Sequence, residues 1–99
     1  GQIPKTLNRA MEFQEDFSPY AKDIFWEIIN MLEEAGSGFK VEFDDLVERL
    51  DVSKQKGVFV AFEEMLITME RIGLKLTEID FQASKPIRSA GSLGTFIYR

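Results

Sequence analysis

Ser53, Lys54, Gln55 and Lys56 place a helix-capping hydroxyl, two ammonium groups and a carboxamide within about one helical turn. A carboxamide can pair with an adenine edge and ammonium groups neutralise phosphate, so this cluster has the composition of a groove-reading segment. Lys85 and Arg88 lie in a second stretch, QASKPIRSAGSLG from Gln82 to Gly94, where they could reach a flanking backbone or minor groove. The plainer alternative is that the lysines only solvate the start of a helix. Later residues weigh toward it, because Glu63, Glu64 and Glu70 would repel phosphate. Phe59 and Val60 would also project apolar surface where a DNA reader usually shows polar groups.

Catalytic chemistry has little to work with. The chain has no His and no Cys, which removes the commonest general base, the thiol nucleophile and the usual zinc ligands. The pairs Glu33/Glu34 and Glu63/Glu64 are adjacent, so on a helix they diverge instead of facing one substrate. The GSG and GSLG runs lack the lysine and following Ser or Thr of a phosphate loop. Asp44, Asp45 and Glu48 lack the alternating oxygen ligands and glycine of a calcium loop and read as helix-capping groups. No enzyme activity, cofactor, metal or small-molecule substrate is therefore expected.

Ninety-nine residues with 44% hydrophobic content suffice for the core of one domain. With no apolar run of about 18 residues and no basic-then-apolar leader, the expectation is a cytoplasmic protein without a membrane segment. The net charge of −5 is unevenly spread. Positions 1–52 hold five basic against twelve acidic residues, and positions 53–99 hold seven against five, which predicts one acidic face and a separate, mildly basic one.

The elements that would position these groups follow from local pattern. Positions 1–17 read as an arm packing through Leu7, Met11 and Phe13, with Met11 and Phe13 alternating as in a short strand. Ser18 and Pro19 open a helix whose stripe is Tyr20, Ala21, Ile24, Phe25, Ile28, Ile29 and Leu32, stopped by Gly36. Trp26 lies off that stripe and is expected to be buried beneath the arm, an exposed partner contact being the alternative. Phe39, Val41 and Phe43 alternate as a strand. Asp44 or Asp45 then caps a second helix facing inward through Leu46, Val47 and Leu50, with Glu48 closing a capping box.

After a tight turn, Ser53 caps a third helix carrying Val58, Phe62, Met65, Leu66, Met69 and Ile72 inward until Gly73. Two helices joined by a short turn have the layout of a helix-turn-helix. Leu74, Leu76, Ile79 and Phe81 read as a bulged strand, TFIYR as its returning partner, and the pair as a β-wing. The fold class predicted is α+β, a winged helix over 18–99 preceded by the arm 1–17. Exposed Phe59, Val60, Phe96, Ile97 and Tyr98 would form a homodimer interface, by edge-strand pairing or helix packing.

Taken with this order of elements, FSPYAKDIFWEIINMLEEAG, KVEFDDLVERL, VFVAFEEMLITMERIGLKL and TFIYR resemble the first winged-helix domain of plasmid replication initiators. Asn8 to Phe13 matches that family's arm, Phe17 and Ser18 its helix start, and Phe25 and Trp26 its Phe-Trp pair. The resemblance implies a dimerisation domain that contacts the backbone of double-stranded origin DNA, while a second winged-helix domain, not contained in this sequence, reads most bases. Two other functions fit the same pattern: a stand-alone winged-helix transcription regulator, and a winged-helix protein-interaction module without DNA binding.

Overall fold

The computed structural model describes residues 3–35, 38–50, 55–83 and 97–98, with the backbone path alone at 55, 56, 83, 97 and 98. The chain runs α1 (Lys5–Ala10), a 3₁₀ segment (Met11–Asp16), α2 (Pro19–Ala35), β1 (Lys40–Glu42), α3 (Phe43–Arg49), α4 (Gln55–Arg71), β2 (Asp80–Ala83) and β3 (Ile97–Tyr98). This is an α+β fold in which one core cluster draws residues from the arm, the helices and the strands.

The start of α2 follows from its first residues. The Ser18 hydroxyl accepts the Ala21 backbone N–H at 3.4 Å, and its proton goes to the Glu64 carboxylate of α4 at 2.8 Å. One side chain thus satisfies an orphan donor of α2 and ties that helix end to α4. Behind the cap, Ala21, Ile24, Phe25, Ile28, Ile29 and Leu32 are buried, as their helical spacing requires. Their principal partner element is α4, which buries Val58, Phe62, Met65, Leu66 and Met69.

Gly73 ends α4 in the left-handed region at φ 82°. Its N–H donates to the Glu70 carbonyl at 3.0 Å and that of Leu74 to the Met69 carbonyl at 2.8 Å, the paired bonds of a Schellman motif. Met69 and Leu74 are both buried, which supplies the apolar contact that accompanies this motif.

Phe62 joins the layers. Its ring centroid lies 4.9 Å from that of Phe81 on β2 and 5.8 Å from that of Phe43 on α3, and the side chain is fully buried. Val41 and Phe81 are register partners across β1 and β2 and both point into the core; Lys40 and Asp80, one position earlier, are paired outward with opposite charge.

Four expectations need correction. Met11 and Phe13 belong to a 3₁₀ segment, not a strand, because the spacing that matters is helical: Leu7, Ala10 and Met11 turn inward together. Phe43 opens α3 instead of ending the strand, so Asp44 and Asp45 fall inside the first turn. Glu42 occupies the cap position without a side-chain cap bond, and no capping box on Asp45 forms. The two carboxylates still favour the positive end of the helix dipole. Strand structure begins at Asp80, since Leu74 belongs to the helix stop, and the predicted bulged strand from Leu74 is absent.

The last strands also pair differently from a hairpin wing. The sheet order is β1-β2-β3, with both pairs parallel. β2 and β3 are separated by positions 84–96. That is longer than the two to about five residues favoured in hairpin loops and long enough for a crossover. The predicted wing loop lies outside the described residues.

Phe62→Ala removes the ring shared by α3, α4 and β2 and is expected to lower unfolding free energy by about 3–5 kcal/mol in urea titrations. Gly73→Ala meets no atom within 4 Å of the added methyl. It is therefore expected to cost only the backbone strain of a positive φ, about 1–2 kcal/mol.

Candidate nucleic-acid interface

The short α3 and the longer α4 are separated by positions 50–54. Two contacts fix one helix on the other: the Phe43 ring packs edge-on to Phe59 at 6.2 Å and tilted to Phe62 at 5.8 Å. Gln55 and Lys56 form its first helical positions, and its first turn carries no acidic residue. Both features suit the approach of an anion to a helix start. Ser53, Lys54, Lys85, Arg88 and Phe96 lie outside the described residues.

The predicted apolar surface divides. Val60 is 45% exposed, as expected. Phe59 is only half-exposed and packs against the core, since its ring fills the space beside Phe43. Ile67, which the sequence pattern did not single out, is 41% exposed. It lies two turns beyond Val60 on nearly the same face of α4 and off the buried 58-62-65-69 stripe, and this offset was the available signal. Ile97 and Tyr98 are in β3, at one edge of the sheet order. Glu64 and Glu70 are exposed further along α4 and would repel phosphate, while Arg71 in its last turn is an exposed cation.

The first helix of the pair offers phosphate little. Its one cation, Arg49, turns back to α2: its guanidinium forks onto both carboxylate oxygens of Glu34 and reaches the Glu27 carboxylate at 3.2 Å. Hydrogen bonding from Arg49 holds the Glu34 carboxyl below the usual carboxylate range, and hydrogen bonding to Glu34 in turn makes the guanidinium harder to deprotonate. The outer surface of α3 is an open hollow lined by Asp45, Glu48 and Arg49, predominantly acidic. Among the described residues no group of acidic side chains is arranged to hold a metal ion.

Trp26 departs from the expected burial. It is 37% exposed, stacked edge-on against Phe25 at 5.6 Å, and its indole N–H donates to the Gln14 side-chain oxygen at 3.1 Å. The 3₁₀ segment passes beside the indole and holds its polar edge, leaving part of the ring in solvent. No helix of the described residues is long and apolar enough to cross a membrane. No protein-family model, curated protein or solved structure matches this chain.

The Glu34–Arg49 bond makes stability pH-dependent in a defined direction. A carboxylate whose folded pKa is lowered stabilises the fold above its unfolded pKa, and the contribution is lost as pH falls through the folded value. Glu34→Gln is therefore expected to lower the urea midpoint near neutral pH, with the gap from the parent protein closing as pH falls below the usual carboxylate range. A gap that does not change with pH would show that the charge of Glu34 contributes nothing to it.

Proposed function

We propose that this chain is a macromolecule-binding domain that pairs with a second copy of itself and contacts double-stranded DNA through the start of α4. It would act as the dimerising N-terminal winged-helix domain of a plasmid replication initiator. The observation that carries the reading is the ring-locked α3–α4 pair, with an acid-free first turn at Gln55 and Lys56 and exposed Val60 and Ile67 further along the same helix. In this reading Ser53, Lys54, Gln55 and Lys56 meet the duplex, and Lys85 and Arg88 reach the flanking backbone. Base reading is left mainly to a second winged-helix domain, since few cations are available here and Arg49 is already paired.

The apolar side chains of α4 support pairing, together with the β3 edge that carries Ile97 and Tyr98. A second reading, a protein-interaction module without a nucleic-acid role, is favoured by the acidic surface of α3. The work of such a domain would be binding without catalysis, in the cytoplasm.

Sedimentation of the isolated chain with and without duplex DNA separates these readings. The proposal expects a dimer that Val60→Asp converts to monomer, and a duplex complex that the joint change Lys54→Glu and Lys56→Glu abolishes. It also expects the complex to weaken steeply with added salt. A dimer indifferent to duplex would support the interaction module, and a monomer indifferent to duplex would overturn both the pairing and the DNA contact.

A further inference from the structure

Four exposed residues follow one another along α4 at the spacing of a helix–helix seam: Val60, Glu64, Ile67 and Arg71. Intervals of four, three and four positions keep them on one face of a continuous helix, and Val58, Phe62, Met65 and Met69 are buried on the opposite face. The seam thus carries two apolar side chains, one anion and one cation. Glu64 is held by the Ser18 hydroxyl, which donates to its carboxylate at 2.8 Å. Arg71 pairs with no carboxylate of the described residues, unlike Lys22, Lys40 and Arg49. The two charges stand about 10 Å apart along the helix axis, so they do not meet within one chain.

A second copy of the chain changes this, and symmetry decides how. Parallel helices would set Glu64 against Glu64 and Arg71 against Arg71. An antiparallel pair, related by a two-fold axis crossing α4 between Glu64 and Ile67, brings Arg71 of each copy level with Val60 of the other. Helical side chains lean toward their own N-terminus, so Arg71 of one copy and Glu64 of the other then lean toward each other. The contact is made twice, as in any isologous interface. Ile67 of each copy lies beside the axis, and Val60 lies under the aliphatic stem of the opposing arginine. Glu63 and Glu70, the other carboxylates of α4, stand about a quarter-turn to one side of the seam. Across the two-fold they add like-charge repulsion, so the net charge of this face opposes self-association. Attraction rests on Val60, Ile67 and the placing of one cation opposite one anion.

We propose that α4 packs antiparallel against α4 of a second copy, with reciprocal Arg71–Glu64 ion pairs setting its direction. This rests on the pairing proposed above and specifies its geometry; it does not depend on the DNA contact.

Sedimentation equilibrium of the whole chain over a concentration series tests the seam, with far-ultraviolet circular dichroism confirming the fold of each variant. Arg71→Glu, which breaks no ion pair of the described residues, is expected to weaken the dimer about tenfold. Glu64→Arg is expected to weaken it by a similar factor even though it makes the face less negative; an effect of net charge alone would tighten the dimer. The joint change Glu64→Arg with Arg71→Glu rebuilds the reciprocal pairs with their signs exchanged, and should return affinity to within about threefold of the parent. Tightening by Glu64→Arg, or a double variant no tighter than the single ones, would overturn the seam. A dimer indifferent to all three changes would also overturn it while leaving the pairing itself, which then falls to the β3 edge. A chain that stays monomeric at every concentration would overturn the pairing and the seam together.

Discussion

The structure depends on one buried ring. Phe62 lies in the middle of α4 and touches Phe43 of α3 on one side and Phe81 of β2 on another, so a single side chain sets the helix pair and the sheet against each other. Once Phe62 points inward, the helical repeat decides the rest of α4. Val58, Met65 and Met69 follow it into the core against α2, while Val60 and Ile67 are turned outward. The outward face that could meet another copy of the chain is thus a geometric consequence of the inward one.

Charge is arranged on this frame in a way the net value of −5 does not reveal. Arg49 ties α3 to α2 through Glu27 and Glu34, and Ser18 ties the start of α2 to α4 through Glu64. Both ties lie at the surface, where each adds modestly to stability but helps set how the helices meet. Because Arg49 is used internally, α3 presents Asp45 and Glu48, and the 3₁₀ segment with the start of α2 presents Glu12, Asp16 and Asp23. Nucleic acid is disfavoured at both surfaces, and the proposed contact lies at the first turn of α4.

Legibility followed the range of the interactions. The start of α2 at Ser18 and Pro19 and the stop of α4 at Gly73 were readable because caps are made by neighbours in sequence. The buried stripes were readable because the helical repeat is local. What failed was set by partners far along the chain. Phe43 fits a strand by alternation but is drawn into α3, where its ring meets Phe59 and Phe62. The parallel pairing of β2 with β3 rests on residues separated by positions 84–96. Trp26 stays half-open because of Gln14, a bond across 12 positions that no periodicity encodes. The placement of Gln55 and Lys56 on a helix start was legible, whereas the bonding of Arg49 to Glu27 and Glu34 on α2 was not.

The proposed function has DNA approaching the first turns of α4 and avoiding the exposed carboxylates of the 3₁₀ segment and the start of α2. Amide chemical-shift mapping of the labelled chain during titration with duplex DNA tests this directly. The account predicts salt-sensitive shifts concentrated from Gln55 to Val60, with Glu12, Asp16, Asp23 and the Trp26 indole unmoved. Shifts centred on the Trp26 face, or none anywhere at low salt, would contradict it.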